Sequence, residues 1–239
     1  RRIYPDKVLI INHSLPSGLY CTICEKEPLE DGRRAVHELD DKALAELKGE
    51  MRSIVSADLP FTKVKMEAAA AEELFLANGQ PDKAALLKSL GVLICSVYYL
   101  DGQADTFHGP LLPSTGYLKV FDLMPYGEGF CLQFPSDNDF NKVIPVRKQS
   151  RIASTLKDYA DWCSIIGVNG IGTLNKAVLA GEASRLINLA EALHERNYAA
   201  IADKIYEKRG QVKIVFIAGP SSSGKTSSSL RLALQCRVL

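Results

Sequence analysis

Gly219-Pro220-Ser221-Ser222-Ser223-Gly224-Lys225-Thr226 directly follows the apolar run Val212-Lys213-Ile214-Val215-Phe216-Ile217-Ala218 near the end of the chain. The eight residues match the phosphate-loop pattern GxxxxGK[ST] at every fixed position. The apolar run is typical of a strand buried in a parallel sheet, and the leucine spacing after Ser227 permits a helix. The order of strand, glycine loop and helix predicts the start of an α/β P-loop NTPase domain.

A strand-to-helix corner of this kind directs successive backbone N–H groups and the positive end of the helix at one phosphate group. Lys225 is expected to bridge the β- and γ-phosphates as the catalytic cation, and the Thr226 hydroxyl to coordinate Mg²⁺. The alternative is a serine-rich linker that matches by chance, and the flanking apolar run argues against it. The predicted nucleotide-binding residues are Gly219, Ser221, Ser222, Ser223, Gly224, Lys225, Thr226 and Ser227.

The first 145 residues combine hairpins and helices without the alternation of a parallel sheet, which indicates an α+β domain. The turn formers Pro16-Ser17-Gly18 separate two strand-like segments and predict a hairpin over residues 8–23. Residues 25–41 carry mixed charges and are expected to form a solvated loop. Helices are predicted after Asp40 or Asp41 until Pro60, at 67–78 and at 81–91, and strands at 92–100, 118–123 and 130–134.

Apolar spacing after Pro145 becomes helical, with helices predicted at 155–166, 170–180 and 183–208. The predicted organisation is an α+β domain at 1–150, a helical connector at 151–210, and the first strand, phosphate loop and helix of an incomplete P-loop domain at 211–239. The chain begins at Arg1 without a methionine and stops at Leu239 in mid-pattern. We therefore expect a fragment at both ends.

The near-neutral net charge of the chain limits the kinds of partner that it can bind by electrostatic attraction. Its 239 residues include 29 basic and 28 acidic side chains, for a net charge of +1. Such a balance gives no field that would hold nucleic acid or an anionic membrane, and we expect neither as a partner. Without a signal-peptide core or a membrane span in the sequence, a cytoplasmic location is expected, with an organelle matrix as the alternative. The six cysteines lie mostly in apolar stretches, which favours buried, reduced thiols.

The stretch Ile217-Ala218-Gly219-Pro220-Ser221-Ser222-Ser223-Gly224-Lys225-Thr226, with Arg231-Leu232 and Gln235 after it, resembles the opening of uridine kinase and phosphoribulokinase family proteins. Residues 166–202 are similar to the connecting region of larger nucleoside kinases that carry a synthetase-like front end. The resemblance implies ATP and Mg²⁺ as cofactors and phosphoryl transfer to a nucleoside, with uridine or cytidine as the expected acceptor. The resemblance leaves open whether the protein forms a homo-oligomer.

The front of the chain carries a second resemblance. Asp105-Thr106-Phe107-His108-Gly109-Pro110-Leu111-Leu112-Pro113-Ser114-Thr115-Gly116 is similar to the second additional domain of threonyl-tRNA and alanyl-tRNA synthetases. That domain removes misacylated amino acids with two histidines on an early helix and a cysteine and a histidine around the Gly-Pro step. Phe107 stands where the cysteine belongs and Leu111 where the histidine belongs. Neither side chain ligates a metal or moves a proton, so the resemblance implies a scaffold or ligand-binding surface without editing chemistry.

Three functions follow as hypotheses. The leading one is an ATP-dependent nucleoside kinase, of which this chain would be the N-terminal part, inactive by itself and a weak nucleotide binder. Its acceptor site, catalytic base and lid would lie beyond Leu239, and the apolar surface at 212–218 would be poorly covered. The second is a nucleotide-binding regulatory module whose synthetase-like domain senses a ligand. The third, a trans-editing hydrolase, is disfavoured by Phe107 and Leu111.

Several other residues allow both a functional and a structural interpretation. Cys21-x-x-Cys24 could be half of a zinc site or a redox pair, but further ligands are lacking nearby and a hairpin strand is the simpler interpretation. His13 and His108 are typical of surface or hydrogen-bonded histidines. Tyr98-Tyr99 and Phe121 could stack on a base, although aromatic residues within strands usually belong to the core.

Overall fold

A computed structural model describes residues 1–146 and 150–239 of the protein. By internal contacts the chain divides into two compact units, Arg1–Lys176 and Ala177–Leu239. The end of the first predicted domain, residues 147–149, lies outside the described residues. The boundaries predicted near 150 and 210 stay predictions. In the described part of the chain, no helix combines the length and apolar character needed to cross a bilayer.

The first unit has an α+β composition, as predicted. Its elements in chain order are β1 (Lys7–Leu15), β2 (Gly18–Pro28), β3 (Arg34–Val36), α1 (Asp41–Ser56), β4 (Thr62–Glu67), α2 (Ala68–Ala77), α3 (Pro81–Leu90), β5 (Ile94–Leu100), β6 (Gln103–Thr106), a 3₁₀ turn (Thr115–Tyr117), β7 (Asp122–Tyr126), β8 (Gly129–Gln133), β9 (Pro135–Ser136), β10 (Asp139–Val143) and α4 (Ser150–Ile165). Helix α5 (Ile171–Leu179) crosses the division, and α6 (Ala183–Glu207) and α7 (Lys225–Val238) follow in the second unit.

A five-stranded antiparallel sheet forms the larger half of the first unit, in the order β1-β2-β8-β7 with β3 paired to β2. The predicted hairpin is confirmed, because Leu15 pairs with Gly18 across the turn. Helix α1 covers the sheet through the buried Leu44, and it begins where the Asp40 carboxylate accepts a hydrogen bond from the Ala43 amide at 2.7 Å. The cap and the apolar face of α1 were both readable from the sequence.

A three-stranded antiparallel sheet, β4-β5-β6, forms a second core with α2 and α3. Phe75 and Val97 are fully buried at its centre. Helix α3 begins at Pro81 and ends at Gly91, whose φ of 62° is left-handed, as the proline and glycine predicted. Strands β9 and β10 form a third, two-stranded sheet, and antiparallel pairing throughout the three sheets confirms the α+β class of this unit.

Two predictions for the first unit were wrong. Residues 25–41 are not simply a solvated loop, since they contain the end of β2 and all of β3. Charged side chains on the open face of an edge strand resemble those of a loop, and this hides the strand from the sequence pattern. The extended segment expected at 118–123 begins only at Asp122, after the 3₁₀ turn.

The second unit contains α6, α7 and the apolar run at 212–218 between them. Both helices form where they were expected, but the run does not form the predicted strand, since it pairs with no other segment among the described residues. A strand needs a neighbour for its N–H and C=O groups, and this unit offers none within the described ranges. The expected α/β sheet is therefore not seen there.

Candidate phosphate-binding loop

The loop at 219–224 connects the apolar run to α7, and its last residue sets the start of the helix. Gly224 precedes α7 with φ 75° and ψ 17°, a left-handed conformation that glycine adopts without the steric penalty of a side chain. The helix then begins at Lys225. The loop-to-helix half of the predicted phosphate-binding corner is therefore present, although the preceding strand is not.

Left-handed residues alternate along this loop. Ser222 has φ 60° and Gly224 has φ 75°, whereas Ser223 between them lies outside the positive-φ region. Alternation of this kind turns successive backbone N–H groups toward one side and forms a concavity suited to an anion. A left-handed serine costs roughly 1–2 kcal/mol, and such strain is concentrated at functional sites.

The first turn of α7 leaves its backbone donors open. The first helical hydrogen bond runs from the Ser228 amide to the Gly224 carbonyl at 2.8 Å. No side chain caps the helix, and within the described residues nothing accepts a hydrogen bond from the amides of Lys225, Thr226 and Ser227. These donors and the partial positive charge of the helix end, about half an elementary charge, suit a phosphate oxygen.

Side chains of the predicted site lie close around the loop. The Lys225 ammonium donates a hydrogen bond to the Pro220 carbonyl oxygen at 2.6 Å. Gly219 approaches Ser223 so closely that a Cβ at Gly219 would lie 2.6 Å from the Ser223 Oγ. The structure thus brings Gly219, Pro220, Ser223 and Lys225 together, while Ser221 and Ser222 are exposed on the loop.

Thr226 and Ser227 lie on the first turn of α7, and both are exposed. The Thr226 hydroxyl has no hydrogen-bond partner among the residues described, so it is free to offer one neutral oxygen to a cation. Mg²⁺ in proteins takes few protein ligands and completes its shell with phosphate oxygens and water. One hydroxyl beside a phosphate cradle fits that pattern, and across residues 1–146 and 150–239 no cluster of three His, Cys, Asp or Glu offers another metal site.

Helix α7 is held against α6 by a polar cluster that sequence reasoning missed. Arg231 binds Glu195 at 2.7 Å and Glu191 at 3.2 Å, and the hydrogen bond to Glu191 raises the pKa of Arg231. Gln235 donates to Glu195 at 3.0 Å, and the hydroxyls of Tyr198 and Ser228 lie 3.0 Å apart. The four-residue spacing of the two glutamates, and of Arg231 and Gln235, was the available signal.

The apolar run is exposed along most of its length, and one face is less exposed than the other. Val215 and Ile217 line an apolar cavity of about 200 Å³ between α6 and α7. Ile214 and Phe216 point away, and are 70% and 87% exposed. The expectation of poorly covered apolar surface at 212–218 is confirmed.

In the first unit, Phe107 is 47% exposed and Leu111 is half-buried. The Phe107 ring meets the edge of the buried Tyr98 ring at 5.9 Å, and the Tyr98 hydroxyl donates to the Gly109 carbonyl at 3.1 Å. His108 is exposed, and the ring centroids of His13 and Tyr20 lie 5.3 Å apart in a tilted arrangement. Cys21 and Cys24 are buried in β2. The residues at 107 and 111 therefore offer packing, with no group for acid–base chemistry.

Comparisons with known proteins bear on this first unit. A threonine–tRNA ligase of Desulfovibrio desulfuricans is 28% identical over 124 residues, which are 52% of this chain and 18% of the ligase. The Geobacter ligase is 32% identical over 125 residues, again 52% of this chain and 18% of the relative. About half of this chain is homologous to threonine–tRNA ligases. The ligase of Symbiobacterium thermophilum is 24% identical over 160 residues, 66% of this chain and 23% of its own.

The matches cover only a small part of each ligase, which limits what can be inferred from them about this chain. This chain spans only 18–23% of the length of the three ligases, and no family model matches it. The similarity supports the synthetase-like part of the sequence resemblance together with the α+β architecture. The resemblance to nucleoside kinases stays a prediction from residues 217–235.

Proposed function

We propose that the protein is an ATP- and Mg²⁺-dependent kinase that transfers the γ-phosphoryl group of ATP to a hydroxyl of a nucleoside. The observation that carries the proposal is the alternating left-handed geometry at Ser222 and Gly224 in front of three unpaired amides. A phosphate group is the ligand that such a concavity suits best. The sequence of residues 217–226, with Arg231 and Gln235, favours a nucleoside kinase over other nucleotide-binding enzymes.

In this proposal the loop positions and neutralises the phosphates. The amides of Lys225, Thr226 and Ser227 would bind β-phosphate oxygens. Lys225 would exchange the Pro220 carbonyl for the β- and γ-phosphates, so that its charge follows the γ-phosphoryl group during transfer. Mg²⁺, held in part by Thr226, would supply charge neutralisation between the same two phosphates. The bond from γ-phosphorus to the bridging oxygen would break and ADP would leave with its electron pair. A bond to the nucleoside oxygen would form, and the hydroxyl proton would pass to a carboxylate base.

The α6–α7 cluster supports this assignment of roles. Arg231 and Gln235 lie two and three turns into α7 and bind glutamates of α6. Such contacts fix the direction in which the first turn of α7 points, and phosphate binding depends on that direction. Positioning would thus come from the helix pair, and phosphate contacts from the loop.

A nucleotide-binding regulatory module is the second candidate function. It is favoured by the hydrocarbon side chains of Phe107 and Leu111, which leave the ligase-like unit without acid–base groups at those positions, and by an open cleft of about 850 Å³ in the same unit. In this case the first unit would bind a ligand and the phosphate loop would respond to it. Trans-editing is not proposed, because the same two residues cannot activate water.

The test is phosphoryl transfer from γ-labelled ATP to uridine, cytidine, adenosine and guanosine by the full-length protein. We expect transfer to at least one nucleoside, lost in Lys225→Ala and retained in the matched control Lys204→Ala, an exposed lysine of α6. The absence of transfer to any nucleoside would contradict the kinase. Lys225-dependent ATP binding without transfer would favour the regulatory module instead.

A further inference from the structure

An open cleft of about 850 Å³ lies in the first unit, remote in sequence from the phosphate loop. One wall comes from the last turns of α1, with Arg52 and Val55, and continues to Asp58. The other comes from the 3₁₀ turn and the residues after it, with Tyr117, Lys119 and Phe121. Its volume is within the range of small-molecule sites.

Two cations in this cleft are unpaired. Arg52 and Lys119 make no hydrogen bond or ion pair with any residue in the described ranges. Neighbouring cations are paired, since Lys48 on the same helix binds Asp122 and Arg2 binds Glu50. Asp58 attracts Lys119 and Asp122 attracts Arg52 through space without forming an ion pair, and both carboxylates accept hydrogen bonds from other groups. Arg52 and Lys119 are therefore available to an anion.

Hydrogen bonds fix the wall between these cations. The Asp58 carboxylate accepts from the Ser114 hydroxyl and from the Gly116 amide at 2.9 Å. Thr115, only 2% exposed, donates its hydroxyl to the Ile54 carbonyl at 2.8 Å and accepts from the Leu59 amide at 2.9 Å. A Cβ at Gly116 would lie 2.3 Å from the Asp58 carboxylate, so a larger residue at 116 would displace the Asp58 side chain from this position. The wall is thus formed before any ligand arrives.

Aromatic rings lie beside the cations. Tyr117 is 64% exposed, and the half-buried Phe121 lines the same cleft before β7 begins. Tyr98 and Tyr99, by contrast, belong to β5, where Tyr98 is buried against Phe107 and Tyr99 packs on the core that contains Phe75 and Val97. Of the aromatic residues that the sequence offered for base stacking, Phe121 is therefore the one whose position allows it. Base–aromatic stacking tolerates every base, because each has a flat π-face.

We propose that this cleft binds a nucleoside monophosphate, with the phosphate on Arg52 and Lys119 and the base against Tyr117 and Phe121. The two cations match the charge of the phosphate group, and the two aromatic rings match the flat face of the base. The proposal does not depend on the phosphate loop, which recognises a β-phosphate that a monophosphate lacks.

The test is a titration of AMP, GMP, CMP and UMP by calorimetry and by NMR, with the full chain carrying Lys225→Ala so that the loop is silent. We expect one molecule of at least one nucleotide to bind. Arg52→Gln and Lys119→Gln should each weaken binding about tenfold, since each removes a charge-assisted contact. Tyr117→Ala should weaken it by about fivefold or more. Lys42→Gln, an exposed lysine on α1 outside the cleft, should have no effect.

Several results would overturn the proposal. One is the absence of binding by all four nucleotides, and another is binding that Arg52→Gln and Lys119→Gln leave unchanged. If inorganic phosphate binds as tightly as the nucleotides, the base has no role and the nucleotide assignment fails. Lys119→Arg should restore binding, which separates charge from folding, and Lys119 and Tyr117 are exposed enough for the variants to fold.

Discussion

The Lys225 ammonium donates a hydrogen bond to the Pro220 carbonyl oxygen at 2.6 Å, five residues back along the loop that precedes its helix. The bond ties the lysine side chain back to the loop, whose alternating left-handed residues suit a concavity for an anion. A phosphate that enters this concavity would offer the ammonium a charged acceptor in place of a neutral carbonyl, and hydrogen bonds between charged groups are stronger. The loop is therefore closed by a contact that a nucleotide can displace.

Gly224→Ala should weaken both folding and nucleotide binding. The left-handed φ of 75° at Gly224 places a Cβ in steric conflict with the backbone, at about 1–2 kcal/mol, and relief of that conflict turns the amides away from the phosphate. We expect a lower free energy of unfolding and at least tenfold weaker nucleotide binding, measured by urea denaturation and calorimetry. Gly210→Ala is the matched control, because Gly210 has no left-handed φ and its Cβ would meet no atom within 4 Å. Equal effects of the two substitutions would contradict this account.

Arg231 and Glu195 should be energetically coupled. Their side chains are 39% and 45% exposed and 2.7 Å apart, so a double-mutant cycle of Arg231→Ala and Glu195→Ala should give about 0.2–1 kcal/mol. The measurement is urea unfolding at low salt, and the coupling should fall at 1 M salt because of screening. Arg237→Ala, paired with the same glutamate variant, should show no coupling. A zero coupling for Arg231 would mean that the cluster does not hold α7.

The ionised carboxylate of Asp58 should raise the free energy of unfolding of the first unit at neutral pH, and this contribution should be lost in acid. The Ser114 hydrogen bond, and after it the Gly116 amide, lowers the pKa of Asp58 below its ordinary value. Because the folded pKa is below the unfolded one, the stabilisation is present at neutral pH and is lost as pH falls below about 4 through the folded pKa. Asp58→Asn should therefore destabilise at pH 7, with the difference shrinking near pH 2–3. A pH-independent effect of Asp58→Asn would refute the assignment.

Thiol labelling should separate Cys236 from the cysteines of the first sheet. Cys236 is exposed, whereas Cys21 is buried and its pKa is raised by that burial to about 11. Since the thiolate is the reactive form, iodoacetamide at pH 8 should modify Cys236 first and Cys21 only on unfolding. Peptide mass spectrometry follows the order, and Cys236→Ser should remove the fast phase. Early labelling of Cys21 would contradict its buried position. The expectation of buried thiols thus holds for Cys21, Cys24 and Cys131 and was wrong for Cys236.

Local signals carried most of what the sequence could predict. The Asp40 cap, the Pro81 start and the Gly91 end each depend on backbone chemistry within a few residues, so they were readable. The leucine spacing permitted a helix from Ser227, and α7 begins two residues earlier, at Lys225. The run at 212–218 looked like a buried strand, but pairing depends on a distant partner that no local pattern specifies.

The cleft in the first unit likewise could not be predicted from local sequence patterns. Asp58 and Ser114 are far apart in sequence, and their hydrogen bond follows from the packing of α1 against the 3₁₀ turn. The sequence favoured a core position for Phe121, as for most aromatic residues in strands, whereas the structure places it in the lining of the cleft. A site formed by segments that are distant in sequence can be identified only once the three-dimensional structure shows that those segments lie together.

The most direct measurement is ATP affinity and nucleoside phosphorylation by the full-length protein with and without Lys225→Ala, beside Lys204→Ala. We expect the loop variant to lose transfer by a hundredfold or more, since a positioned cation at the transferring phosphate contributes on the order of 3 kcal/mol, and the control to match the parent protein. Unchanged affinity and transfer in Lys225→Ala would contradict the assignment of residues 219–227 as the nucleotide site.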